Sequence, residues 1–290
     1  MPIIFPTQNI IKKLGIRPSR QRSQNFLIDR NSAQKAVSCA GLTPDDTVIE
    51  IGPGPGSLTL FLHETGARVI CYEIDRNLYG ILERQLPQDG SVSLYFQDIL
   101  TADFGSVLGD KQAVIFGSIP YAITSPIVIK ILEDSRFLKR AVFIVQKEVA
   151  ERLCAPPGCK DYGILTVYCR AYLAASIRMI IPARCFYPEP KVDSAVIELA
   201  PLAEKSWHGP DEDLFRMIVR TGFSQRRKTF QNCLKGYIGQ RGINAEALKA
   251  AADKEALALT RRAETFTVEE FYRLAGIIKN LTPQKTGPAA

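Results

Sequence analysis

The chain contains no apolar run near the roughly 18 to 20 residues that a membrane span requires. Nor does its N-terminus show the apolar core and small-residue cleavage site of a secretory signal. These absences predict a protein that stays in the cytoplasm, without a membrane partner. Histidine is scarce, at two residues, and neither His63 nor His208 has a catalytic context. The seven cysteines (39, 71, 154, 159, 169, 185 and 233) are odd in number and scattered, with no CxxC pair and no Cys/His cluster at zinc spacing. No metal site is therefore expected, and reduced, mostly buried thiols fit a cytoplasmic protein. Acid is missing altogether from residues 1–28, which carry five basic side chains.

What is present suits a soluble globular protein. At 290 residues, with 46% hydrophobic and 23% charged side chains, the chain can bury one core of about 150 to 200 residues and still form a smaller second domain. The net charge of +7 divides unevenly: +5 over residues 1–28, −3 over 29–200 and +5 over 201–290. Basic ends around a nearly neutral middle suit contact with a phosphate backbone at the ends and chemistry on an uncharged group between them.

From about residue 30 to 200, short apolar runs alternate with helix-length amphipathic stretches. Strands are predicted at Thr47 to Ile51, Arg68 to Tyr72, Ser93 to Phe96, Ala113 to Phe116 and Ala141 to Val145, with helices at 32–41, 57–65, 76–86 and 125–134. This alternation predicts βαβ units and a parallel, Rossmann-like sheet covered on both faces. Ile177 to Ile181 and Ser194 to Leu199 follow without a clear helix between them and suggest an antiparallel pair at one sheet edge. After Pro201 the pattern becomes helical (212–221, 225–238, 244–252 and 267–279), and the tail from Thr282 reads as disordered. The expected organisation is an α/β domain over 1–200 and a smaller all-helical domain over 201–290.

The run Glu50-Ile51-Gly52-Pro53-Gly54-Pro55-Gly56 ends the first strong strand and opens a helix. Alternate glycines let the chain turn sharply and bring bare backbone, at Gly52 and Gly54, against a ligand. A dinucleotide site would want GxGxxG, but the position three after Gly56 is Thr59. The E-x-G-x-G-x-G form instead resembles the first motif of class I methyltransferases, which bind S-adenosylmethionine. Glu73, 21 residues after Gly52, stands at the second strand tip, where an acid can accept from both ribose hydroxyls. Asp75 is a rival, although its place beside Arg76 suits a helix N-cap. Asp98, at the third tip, is placed to accept from an adenine amino group.

The fourth strand leads into Gly117-Ser118-Ile119-Pro120-Tyr121. An aryl amine is a poor nucleophile because its lone pair is delocalised into the ring. Acceptors that bind both amino hydrogens draw the nitrogen towards tetrahedral geometry. Ser118 Oγ and a backbone carbonyl at Ile119 or Pro120 are candidates, with Pro120 fixing the loop and Tyr121 stacking on a flat base, and Ser118 is also expected among the cofactor contacts. In-line attack on a sulfonium methyl then depends on orientation more than on acid–base help. The SIPY tetrapeptide resembles the [D/N/S]-x-P-[Y/F] motif of amino methyltransferases acting on planar nitrogens, and by itself it would serve RNA adenine, DNA adenine or a glutamine amide.

Taken together, Gln24-Asn25-Phe26-Leu27, EIGPGPG, YEID, Gln97-Asp98, SIPYAITSP, Gln146-Lys147-Glu148-Val149, Lys160-Asp161-Tyr162-Gly163, the segment Phe186 to Ser194 (FYPEPKVDS) and the segment Phe223 to Lys228 (FSQRRK) resemble the small-subunit rRNA adenine dimethyltransferases over residues 8–280. The resemblance implies that two adjacent adenosines near the 3′ end of 16S rRNA, in the immature small subunit, are each methylated twice by a monomeric enzyme. It also implies that Asn25 and Leu27 close over the cofactor. Phe186, which by itself reads as a core aromatic, would help Tyr121 clamp the target base. The family usually carries Asn where this chain has Ser118, and serine accepts a hydrogen bond from farther back.

An adenine inside a duplex cannot reach such a pocket, so the target must be unpaired or flipped out. Arg226, Arg227, Lys228 and the basic N-terminal arm are the expected phosphate contacts. A large-subunit rRNA methyltransferase and a non-catalytic ribosome-assembly factor on the same fold are the alternatives.

Overall fold

Residues 3–19, 22–203 and 212–283 are described in the computed structural model, except for the side chains of 121 and 122. The predicted disordered tail falls largely on 284–290, outside the described residues. The strands are β1 (Phe26–Leu27), β2 (Thr47–Ile51), β3 (Arg68–Glu73), β4 (Val92–Phe96), β5 (Ala113–Ser118), β6 (Leu138–Gln146), β7 (Leu173–Ile181), β8 (Phe186–Tyr187) and β9 (Ser194–Pro201). The helices of the first half are α1 (Gln8–Lys13), α2 (Arg30–Ser38), α3 (Thr59–Glu64), α4 (Arg76–Glu83), α5 (Phe104–Leu108) and α6 (Tyr121–Glu133). Those that follow are α7 (Lys147–Cys154), α8 (Ile164–Tyr172), α9 (Glu212–Phe223), α10 (Phe230–Gln240), α11 (Ala245–Lys254) and α12 (Val268–Leu281).

Seven strands form one sheet in the order β4-β3-β2-β5-β6-β9-β7. The five from β4 to β6 run parallel, and β9 and β7 pair antiparallel at the edge beyond β6. The central strands are mainly apolar because helices cover both of their faces: Val48, Ile49, Val114 and Phe116 are fully buried. The outermost strand, β7, is instead largely exposed, and Arg178 on it pairs with Glu198 of β9 at 3.4 Å. The order places the tips of β3, β2, β5 and β6 side by side. A second, two-stranded pairing of β1 with β8 aligns Leu27 with Phe186.

The chain divides into two units, residues 1–151 with 173–201 and residues 152–172 with 202–290. A single cut at 201 therefore misplaces 152–172. That excursion between β6 and β7 forms α8, whose Tyr168 lies 6.3 Å from the Phe215 ring and donates to the Arg216 carbonyl at 2.8 Å. The second unit is helical throughout its described residues and is built on aromatics: Phe215, Phe230, Phe266 and Phe271 are fully buried, and Phe215 stacks on Tyr272 at 3.9 Å. Arg226 to Lys228 lie in the turn before α10 and not in the predicted helix.

Candidate active site

The loop after β2 turns through Gly52, Gly54 and Gly56 with φ of +64°, +57° and +95°, a region that side chains with a Cβ disfavour. Its bare backbone is pinned from the next strand: Gly54 N–H donates to the Glu73 carboxylate at 3.0 Å. The other oxygen of Glu73 accepts from Asp75 N–H at 2.7 Å. Burial pushes the Glu73 carboxyl up from its ordinary value, against the opposing pull of these two N–H groups. Asp75 does cap α4, accepting from Asn77 and Leu78 N–H at 3.0 and 3.3 Å. It also holds Arg22 in an ion pair and accepts from the Gln24 amide at 3.1 Å, which ties the N-terminal arm to the β3 tip. Burial alone would raise the Asp75 carboxyl, but the Gln24, Leu78, Asn77 and Arg22 contacts outweigh it and hold the group below the usual carboxylate range. At the β4 tip one oxygen of Asp98 accepts from Leu100 N–H at 2.9 Å.

The β5 tip is built differently. Gly117 lets β5 approach β2: a Cβ there would lie 2.6 Å from the Ile51 carbonyl oxygen. Ser118 follows at the open end. Ile119 N–H is taken by the Ile144 carbonyl at 2.9 Å. The Pro120 carbonyl accepts from Ile123 N–H at 3.1 Å and from the Thr124 hydroxyl at 3.2 Å, so it belongs to the first turn of α6. Of the two backbone carbonyls considered from the sequence, that of Ile119 is the one left for a ligand. Tyr121 opens α6, and its side chain is outside the described residues.

One cavity of about 380 Å³ joins these tips, wholly within the sheet unit. Asn25, Leu27, Gly52, Gly54, Glu73, Asp98, Ser118, Pro120 and Phe186 all line it. Phe186 is 4% exposed and packs in the main core while it walls the cavity, so both readings of it describe the same ring. Gln146 and Ser194 also line the cavity and were missed. The predicted strand ended at Val145, one residue short of the β6 tip, and the rule that ligands bind outside the carboxyl ends would have singled out Gln146.

Beneath the glycine loop lies Glu50, fully buried. One oxygen accepts from the Cys71 thiol at 3.4 Å, while Ser57 Oγ has no hydrogen-bond partner among the described residues. Burial pushes the Glu50 carboxyl up to about 7. Among the described residues no group of His, Cys, Asp and Glu side chains could hold a metal ion, and no helix is long and apolar enough to cross a membrane. In the helical unit, the Arg226 guanidinium donates to the carbonyls of Lys160 and Tyr162 at 2.8 and 3.0 Å. Arg227 and Lys228 are exposed.

A parallel sheet with an antiparallel edge, a glycine loop after one strand and acids at the next two tips is the architecture of the class I methyltransferases. Residues 17–275 match the sequence profile of the ribosomal RNA adenine dimethylases. The ribosomal RNA small subunit methyltransferase A of Lysinibacillus sphaericus is 40% identical over 278 residues, covering 93% of this chain and 94% of that one. The crystal structure of a dimethyladenosine transferase from Plasmodium falciparum shares the fold, with a TM-score of 0.71, 24% identity and coverage of 86% and 95%. That of the 23S rRNA methyltransferase ErmE has a TM-score of 0.66 and 29% identity, with coverage of 88% and 100%. The chain belongs to the ribosomal RNA adenine dimethylase family, enzymes that methylate rRNA adenine with S-adenosylmethionine.

Proposed function

We propose that this enzyme dimethylates N6 of two adjacent adenosines near the 3′ end of 16S rRNA, acting as a cytoplasmic monomer on the immature small subunit. The observation that carries the reading is the cavity joining the glycine loop, Glu73 and Asp98 at one end to Ser118 and Phe186 at the other. Similarity over nearly the full length to small-subunit methyltransferases, at 40% identity, favours the small subunit over the large.

The cavity fits the methyl donor. Its volume of about 380 Å³ lies in the range of small-ligand pockets, and it offers bare backbone at the glycine loop and a carboxylate at the β3 tip. Bound there, S-adenosylmethionine supplies an electrophilic methyl group on a sulfonium. Glu73 would accept from the ribose hydroxyls with the lone pairs that Gly54 and Asp75 leave, and Asp98 from the adenine amino group with its second oxygen. Asn25 and Leu27 close the cavity from the arm that Asp75 secures. At the other end, Ser118 Oγ and the Ile119 carbonyl accept the two hydrogens of the target amino group and turn its lone pair towards the methyl. Pro120 fixes this turn, and Phe186, with Tyr121, holds the base plane. Nothing here needs a strong base, because orientation supplies the main gain. Arg227, Lys228 and Arg226 contact rRNA phosphates, Arg226 through the nitrogens not engaged at Lys160 and Tyr162.

Mass spectrometry of the 16S 3′-terminal fragment from a strain lacking the gene tests the proposal. The expected result is loss of both dimethyladenosines, restored by the gene. Dimethyladenosines still present in that fragment would overturn it, as would primer extension showing the lost modification in 23S rRNA.

A further inference from the structure

Three polar side chains stand at the open ends of adjacent strands on the target side of the cavity: Ser118 on β5, Gln146 on β6 and Ser194 on β9. None makes a side-chain hydrogen bond among the described residues. Gln146 and Ser194 are direct partners in the antiparallel register, so their side chains leave the sheet on the same face. Two residues back, the pair Ile144 and Val196 belongs to the same core cluster as Phe186. The amide and the hydroxyl therefore leave the sheet on the face that carries this core cluster, and with Phe186 they line the same cavity. Ser118 aligns with Ile144 across β5 and β6, which places Gln146 one strand over and two residues further out. That offset is about 5 Å sideways and about 7 Å along the strand, a gap that a purine and a glutamine side chain together span. Ser194 is 8% exposed and lines the cavity wall, where its hydroxyl is open to a ligand.

We propose that Gln146, supported by Ser194, is a specificity-determining residue that donates a hydrogen bond from its amide to a ring nitrogen flanking the amino group of the target adenine. The inference rests on the adenine N6 reading above. With Ser118 and Ile119 engaging the exocyclic hydrogens, N1 and N7 are the neighbouring acceptors. Of the two-point pairing that a glutamine can make with adenine, only the donor half is used here, because Ser118 and Ile119 hold both amino hydrogens. Guanine, which carries a carbonyl oxygen in place of the amino group and a hydrogen on N1, cannot satisfy the same set.

The test pairs protein and substrate changes. Small subunits are reconstituted with 16S rRNA ligated to a synthetic 3′ segment carrying adenosine, 7-deazaadenosine or 1-deazaadenosine at the target. Purified wild-type, Gln146→Leu, Gln146→Glu and Ser194→Ala proteins are then compared for methylation and, separately, for S-adenosylmethionine affinity by calorimetry. Gln146→Leu should lower kcat/KM on adenosine about tenfold or more while cofactor affinity stays within about twofold. Wild type should suffer a similar loss on one deaza substrate, and Gln146→Leu should show no further loss there. Gln146→Glu, the same size but without the donor, should behave alike, and Ser194→Ala should lose a few-fold. Full activity of Gln146→Leu on adenosine, or undiminished losses of that variant on both deaza substrates, overturns the proposal. Should Gln146→Leu lose cofactor affinity through misfolding, the same comparison made with Gln146→Glu decides. Failure of wild type to methylate the unmodified subunit overturns the functional reading instead, so the two failures are separable.

Discussion

At the two ends of the cavity the protein treats its hydrogen-bonding groups in opposite ways. At the glycine-loop end, both oxygens of Glu73 and one of Asp98 already accept backbone N–H groups, and Asp75 is fully engaged in capping α4 and tying Arg22 and Gln24. At the other end Ser118, Gln146 and Ser194 make no side-chain hydrogen bond among the described residues. A carboxylate fixed by backbone donors keeps its remaining lone pairs aimed before any ligand arrives, which lowers the ordering cost of binding. Groups left open take their partner from the bound base, so a base that lacks the matching donors and acceptors leaves them unpaired and is rejected. The first arrangement serves affinity and the second serves discrimination.

The largest expected effect concerns Glu50, under the fixed end. Its folded-state value of about 7 lies above the ordinary 4.5, so its contribution to stability is complete below about pH 4.5 and is lost as pH rises through about 7. Denaturant unfolding should show wild type losing up to about 3 kcal/mol on this account between pH 5 and pH 9. Glu50→Gln should flatten that slope, and an unchanged slope in the variant would show that Glu50 is ionised in the fold. Next, Glu73→Ala should weaken S-adenosylmethionine about a hundredfold by calorimetry and lower the Tm, since the buried Gly54 N–H and the partly buried Asp75 N–H lose their acceptor. Ser118→Ala should reduce kcat about tenfold in single-turnover assays while weakening the cofactor far less than Glu73→Ala does. Ser118→Asn, with a longer reach, should raise kcat a few-fold. A loss of cofactor affinity as large as that of Glu73→Ala with either Ser118 variant would blur the contrast between the two ends. The smallest effects belong to the helical unit, where Arg226 is engaged and Arg227 open. Arg227→Ala should reduce the salt slope of rRNA binding by about one, whereas Arg226→Ala should mainly cost about 1 kcal/mol of stability.

The fixed end was legible in the sequence because its residues are contiguous: EIGPGPG and YEID are single runs, and Asp75 showed its capping role by standing before Arg76. The central strands were equally plain, since burial on both faces leaves mainly apolar runs such as AVIF, and TVIEI apart from its buried Glu50. The open end was harder. Ser118 and Pro120 stand in one motif and Gln146 follows directly on a predicted strand, but Ser194 reaches the cavity only through the register of β6 with β9, which no local pattern records. Residues 152–172 were misplaced for a related reason: the pattern of α8 does not record which unit it packs in, and that depends on contacts with Phe215 and Arg216 far along the chain.

The pair of acceptors at the β5 tip, Ser118 Oγ and the Ile119 carbonyl, gives the proposed reaction a built-in stopping rule. Unmodified adenine brings two N6 hydrogens, the monomethyl product brings one and the dimethyl product none. Each turnover thus removes one of the handles by which the pocket holds its substrate, and after the second there is nothing left to grip. The count of methyl groups is then set by the supply of hydrogens on the nucleotide, and release of the finished base follows from the same arithmetic.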